Sequence, residues 1–206
     1  MPYLALGDSY TIGESVEPDG RWPMQLAAAL RADGVVIDDP RIVARTGWTT
    51  DELSSAIDAA EPLGDDYGLV TLLIGVNNQY RGRDVDGYAH EFAVLLERAI
   101  GFAGRRADRV VVLAIPDWGV TPFAAQSGRD VSAIARELDA YNAAAAKLCA
   151  RRGVVFVDIA PVSRGRGAEP AMLADDGLHP SAAMYAEWAR MAQPIVRRLL
   201  AENPAP

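Results

Sequence analysis

The sequence is poor in the residues that fasten or tether proteins. It has one cysteine, Cys149, and two histidines, His90 and His179, among 206 residues. One cysteine cannot close an internal disulfide, and no Cys/His cluster offers a structural zinc site. Cys149 lies in an alanine-rich helical stretch, Ala143 to Ala150, with no histidine or turn signal beside it. It reads as a buried thiol rather than a nucleophile. No run approaches the ~20 apolar residues that span a bilayer. The first apolar run, Tyr3 to Leu6, is short, and the acidic Asp8 follows it. The N-terminus therefore shows no secretory pattern, and the chain reads as cytoplasmic, without membrane insertion. Positive charge is also in deficit. The formal net charge is −8, against the basic face that a nucleic-acid binder needs. The pairs Arg105-Arg106, Arg151-Arg152 and Arg197-Arg198 are short and flank predicted helices, as solvated helix ends do. The glycine-rich phosphate fingerprint of nucleotide- and flavin-binding folds is missing after the first strand. No internal repeat, low-complexity tract or linker interrupts the chain.

What is present is a large apolar fraction, 50% of all residues. A chain of this length buries roughly 70% of its unfolded surface and needs no staples. Residues 1–202 read as one domain and residues 203–206 as a frayed tail. Strand-like apolar runs alternate with helix-length amphipathic stretches. Strands are predicted at Tyr3 to Leu6, Arg41 to Ala44, Leu69 to Ile74, Arg109 to Ile115 and Val154 to Ile159. Helices are predicted from Arg21 to Ala32, Thr50 toward Ala60, Asp84 to Ala103 and Val131 to Arg152, with a last one from Pro180 to about Leu200. A glycine-rich loop is expected at Arg164 to Ala168. Leu69 to Ile74 is apolar on both faces, as a central parallel strand between helix layers must be. The alternation predicts a three-layer α/β/α sandwich on a five-stranded parallel sheet, with right-handed crossovers.

Ligands of such sheets bind beyond the carboxyl ends of the strands. Gly7-Asp8-Ser9-Tyr10 follows the first strand, and Thr46-Gly47-Trp48 follows the second. Gly75-Val76-Asn77-Asn78 follows the third and Pro116-Asp117-Trp118 the fourth. The fifth leads through a loop to Asp175-Asp176-Gly177-Leu178-His179-Pro180. Ser9 alone reads equally as a helix N-cap. A serine becomes a nucleophile only beside a base. His90 lies inside a predicted helix next to Glu91 with no partner pattern, whereas His179 sits on a loop with carboxylates three and four residues upstream. A tight turn lets Asp176 reach the far imidazole nitrogen of His179 and fix its tautomer. Asn77 offers a side-chain amide, and Gly47 and Ser9 offer backbone N–H groups, to a developing oxyanion. Trp48, Tyr80, Arg81, Trp118 and Phe123 fall on the same edge and are candidates for a substrate wall.

Taken together these blocks resemble the GDSL esterase/lipase family, also called SGNH hydrolases. Four blocks occur in order: Gly7-Asp8-Ser9, the lone Gly47, Gly75-Val76-Asn77-Asn78, and Asp176-Gly177-Leu178-His179. The resemblance implies a flavodoxin-like fold and a Ser9–His179–Asp176 triad. It implies an oxyanion hole of Ser9, Gly47 and Asn77, no metal or organic cofactor, and a small carboxylic ester as substrate. Tyr10 stands where the family name has leucine, and Asn78 where the family commonly has Asp. Residue Thr11 rules out a Gly-x-Ser-x-Gly elbow. Two alternatives remain at this level: an acyltransferase using the same residues, and a carbohydrate-binding protein that kept the fold without catalysis.

Overall fold

The computed structural model describes residues 1–60 and 62–202; the tail expected at residues 203–206 lies outside them. Five strands make the sheet: β1 (Tyr3–Gly7), β2 (Arg41–Ala44), β3 (Leu69–Leu73), β4 (Val110–Leu113) and β5 (Val155–Val157). All pairs are parallel and the spatial order is β2-β1-β3-β4-β5. The chain moves from β1 to β2 on one side and then crosses to β3 on the other. The order therefore reverses between β1 and β3, the crevice where open α/β sheets bind ligands.

The helices are α1 (Ser9–Ile12), α2 (Trp22–Ala32), α3 (Thr50–Ala59), α4 (Val76–Tyr80), α5 (Val85–Phe102), α6 (Pro122–Gln126), α7 (Val131–Arg152), α8 (Ala160–Arg166) and α9 (Ala182–Glu202). α2 and α9 pack on each other as one layer, and α5 packs with α3 and α7 as the other. Trp22, Leu26 and Leu30 of α2 and Trp188, Ala192 and Val196 of α9 are fully buried on their facing stripes. β3 is buried throughout. Its one polar residue, Thr71, shares a hydrogen bond of 3.1 Å with the Tyr3 hydroxyl on β1, which satisfies both buried groups.

Two local expectations are corrected. The stretch Arg164 to Ala168 is a loop only at Gly167 and Ala168, because α8 runs through to Arg166. A proline in its first turn starts the helix, and ion pairs repay the glycine inside it. Arg164 bonds the buried Asp117 at 2.8 Å and Arg166 bonds Glu169 at 3.0 Å. Pro180 does not begin the last helix. It pairs with Leu173 in an antiparallel bridge, and Ser181 precedes the helix, which starts at Ala182. α1, α4 and α6 span four or five residues each, too short for helical periodicity to appear in sequence.

Truncating Leu72, fully buried at the centre of β3, removes contacts that the sheet cannot close over. Leu72→Ala is expected to cost ~2–5 kcal/mol, and Val94→Ala on the exposed side of α5 no more than ~0.5 kcal/mol. Urea unfolding of the two variants checks this; equal losses would contradict the placement of the core.

Candidate functional site

The site is assembled at the carboxyl edge of the sheet. β1 ends at Gly7, where any Cβ would collide with the Thr11 hydroxyl and the carbonyl oxygen of Leu73. Only glycine lets α1 fold back so sharply, and that turn sets Ser9 at the first position of α1. Asp8 caps this helix by accepting the Tyr10 N–H at 3.0 Å. Asp8 is fully buried, and its second oxygen, Oδ2, has no partner among the described residues. Burial pushes its carboxyl up to about 7, although the N–H groups of Tyr10 and Gly75 pull the other way.

Gly47 follows β2 with φ +89°, a left-handed backbone that side chains resist. Arg81 fixes the turn by donating to the Gly47 carbonyl at 2.6 Å while pairing with Glu52 at 3.1 Å. With that carbonyl turned to Arg81, the Gly47 N–H makes no backbone hydrogen bond among the described residues, and neither does the N–H of Ser9. Unpaired backbone donors beside a cavity are uncommon and are what an oxyanion requires. Asn77, on α4 directly after β3, donates one amide hydrogen to the Trp48 carbonyl at 2.9 Å. Its amide carries a second donor. Asn78 is buried. It accepts the Thr50 N–H at 3.1 Å, donates to the Thr50 hydroxyl at 2.6 Å and reaches Glu91 at 3.3 Å. A carboxylate in its place would face Glu91 with like charge, so the amide suits this position, where it ties α4 to α3 and α5.

The fifth loop is closed by the Leu173–Pro180 bridge, with the Ala174 N–H donating to the His179 carbonyl at 2.8 Å. Inside it Asp176 Oδ1 accepts the N–H groups of Leu178 and His179, each at 2.9 Å, and Oδ2 accepts from His179 Nδ1 at 2.6 Å. Partial burial pushes the Asp176 carboxyl up, but these bonds prevail and hold it below its usual value. An ionised carboxylate can only accept, so the Nδ1 of His179 carries the proton and Nε2 is the basic nitrogen.

Ser9, Gly47, Asn77 and His179 all line one cavity of about 250 Å³. Val76, Tyr80, Trp118, Phe123 and Leu178 make its apolar wall, and Tyr10 and Thr46 complete it. Three of the five wall residues expected from sequence are thus present: Tyr80, Trp118 and Phe123. Trp48 and Arg81 are not among the lining residues. The loop after β2 carries Trp48 against the core, and Arg81, after α4, is committed to Gly47 and Glu52. Tyr10, Thr46, Val76 and Leu178 were missed, although each adjoins a candidate residue in sequence. The Trp118 indole is held by Gln79, its Nε1 donating to Oε1 at 2.9 Å, and Gln79 in turn donates to Glu137 at 2.6 Å. The guanidinium of Arg129 lies 5.3 Å from the Tyr80 ring and 5.5 Å from the Trp118 ring, bracing the wall. No motif announces Arg129. His90 is exposed on α5, away from the cavity. Cys149 is buried, and burial pushes its thiol up to about 12, which leaves it unreactive. Among the described residues no cluster of His, Cys, Asp and Glu is arranged to hold a metal. No helix among them is long and apolar enough to cross a membrane.

The sequence matches the model of the GDSL-like lipase/acylhydrolase family over residues 5–187. No curated protein matches it by sequence. Solved structures share the fold at low identity. TesA superposes with a TM-score of 0.74 at 20% identity, covering 97% of this chain and 100% of TesA. The lipase Lip_vut3 from a goat rumen metagenome gives 0.76 at 18%, covering 97% and 99%. A variant of Axe2, an acetyl-xylooligosaccharide esterase from Geobacillus, gives 0.72 at 19%, covering 95% and 93%.

Asp8 generates a pH dependence. Its carboxyl lies near 7 when folded against an ordinary 3.8, so the folded state holds the proton over that interval. Stability from this group is full below about pH 4 and is lost as pH rises through about 7. Asp8→Asn keeps an acceptor for the Tyr10 N–H but cannot titrate. Urea unfolding at pH 5 and pH 8 should show the wild type losing stability relative to the variant at the higher pH. A pH-independent difference would contradict the buried environment assigned to Asp8.

Proposed function

The chain belongs to the GDSL-like lipase/acylhydrolase family, and from that premise we propose that it is a serine esterase acting on carboxylic esters with short acyl groups. One observation carries this reading: a serine whose hydroxyl makes no hydrogen bond to another described residue shares a cavity with an imidazole whose other nitrogen is bound to a carboxylate at 2.6 Å. Ser9 is the nucleophile, His179 the general base and Asp176 the group that orients and stabilises it.

The Oγ of Ser9 forms a bond to the ester carbonyl carbon while Nε2 of His179 takes the hydroxyl proton. The carbonyl electron pair moves onto oxygen, and the resulting oxyanion is met by the N–H groups of Ser9 and Gly47 and the amide of Asn77. The tetrahedral carbon then expels the alcohol oxygen, which receives the proton from His179. An acyl group stays on Ser9. Water attacks it by the same route, giving the acid and regenerating the hydroxyl. Asp176 remains ionised throughout, which agrees with its lowered carboxyl.

The size and lining of the cavity support short acyl groups. Its volume, about 250 Å³, falls below the ~300–1,000 Å³ of sites for drug-sized ligands. Beyond Ser9, Asn77 and His179 its walls offer few polar groups to a sugar. A purely carbohydrate-binding role leaves the bound imidazole and the unpaired N–H groups without purpose.

Hydrolysis of p-nitrophenyl acetate measures the assignment. Ser9→Ala is expected to lower kcat by roughly 10⁴-fold or more, and Asn77→Ala by about 10²–10³-fold. Asp176→Asn should cost less than His179→Ala. Wild-type rates in Asn77→Ala would remove that residue from the oxyanion site, and wild-type rates in Ser9→Ala would remove the mechanism. Acetylated xylan and a lysolipid, assayed beside it with competing alcohols present, identify the acyl donor and acceptor.

A further inference from the structure

Behind the main cavity lies a second space of about 20 Å³, room for roughly one water. The two share three lining residues, Tyr10, Trp118 and Leu178, which are therefore the wall between them. On the far side stand Met172, Leu173, Met184 and Trp188. The polar side chains there are already committed. Asp117 pairs with Arg164 at 2.8 Å, the Thr121 hydroxyl donates to the Trp118 carbonyl at 2.7 Å, and the Ser163 hydroxyl donates to the Ala160 carbonyl at 2.8 Å. Apart from the indole N–H of Trp188, which has no partner among the described residues, this space presents a largely saturated, apolar surface.

Tyr10 is the part of the wall bound to the reacting groups. It follows Ser9 on α1 and is buried. Its ring meets His179 at 6.0 Å and 61°, and on the other side meets Trp188 at 5.9 Å and 68°. Both are edge-on contacts of the favourable kind. Its hydroxyl makes no hydrogen bond to a described residue, so the ring, not the phenol, does this job.

Building on the esterase reading, we propose that the Tyr10 ring sets the acyl-chain limit of the site, as the partition that closes the main cavity against the apolar space behind it, and that its edge positions the His179 imidazole. Trp118 forms a fixed part of the same wall, its indole anchored to Gln79, and does not contact the imidazole. Removing the Tyr10 ring joins the two spaces into one apolar pocket that reaches Met172 and Met184. Longer chains then gain burial, and the imidazole loses the neighbour that steadies it.

The test is the kcat/KM profile on p-nitrophenyl esters from acetate to decanoate for wild type, Y10F, Y10L and Y10A, with S9A as the blank and thermal melts of each variant. The wild type should favour the shortest chains. Y10A should raise the octanoate-to-acetate ratio at least about tenfold, a value in the range that one or two buried methylenes command. That gain should come through a lower KM for octanoate, while kcat on acetate falls. Y10F, which restores the ring, should restore the short-chain preference. Should Y10A fail to melt cooperatively, Y10L, with the leucine of the family pattern, carries the same comparison. A profile in Y10A or Y10L parallel to that of an active wild type overturns the partition alone. Absence of Ser9-dependent turnover in the wild type overturns the esterase reading and this inference with it.

Discussion

The carboxylate of Asp176 accepts from His179 Nδ1 and from two backbone N–H groups of the same short loop. That knot decides which imidazole nitrogen is basic, and the geometry around the cavity is arranged with respect to it. The loop is pinned at its neck by the Leu173–Pro180 bridge. It is pinned at its tip by Phe123, whose N–H donates to the Gly177 carbonyl at 3.2 Å. An imidazole on an unsupported loop would sample several rotamers and cost rate through misplacement. Here the His179 imidazole is located by a loop that backbone hydrogen bonds hold, and the wall residue Phe123 is located by the same loop.

The Ser9 side of the cavity is held with equal rigidity from the other end of the chain. Gly7 permits the turn, Asp8 caps it, and Tyr10 carries the stiffness across to His179 and on to Trp188 of α9. Since α9 packs along α2 and follows His179 directly, the first and last elements of the chain are locked around one cavity. The buried Asp8, with an unpaired oxygen, is the element that costs stability in this arrangement. It is tolerated where it organises the turn that bears Ser9, as strained or unsatisfied groups commonly are beside reactive ones.

Much of this was legible in the sequence. The strands were readable because their apolar runs are continuous, and a parallel sheet places all strand-end residues on one edge. Ser9, Gly47, Asn77 and His179 follow from that rule without any knowledge of side-chain contacts. Legibility stops where a contact joins residues far apart in the chain. Arg81, a basic residue on the active edge, reads in sequence either as a contact for substrate or as half of a surface salt bridge. Only the folded chain turns it to Glu52 and the Gly47 carbonyl. Trp48 reads as wall because it falls on that edge, and packs against the core instead. Arg129 is one arginine among many until Tyr80 and Trp118 come under it. The last turn of α8, Arg164 to Arg166, was hidden by Gly165, whose cost is offset by ion pairs to Asp117 and Glu169 that no local pattern encodes. Asn78 looks like a departure from the family pattern, and becomes intelligible once Glu91 stands beside it.

The most direct measurement is covalent trapping. A fluorophosphonate probe should phosphonylate the protein once, with loss of fluoride, and peptide mapping should find the adduct on Ser9. Labelling should slow in His179→Ala, which lacks the base, while the fold stays intact by circular dichroism. An adduct on another residue, or labelling of Ser9 at an unchanged rate without His179, would contradict a serine activated by the imidazole that Asp176 holds.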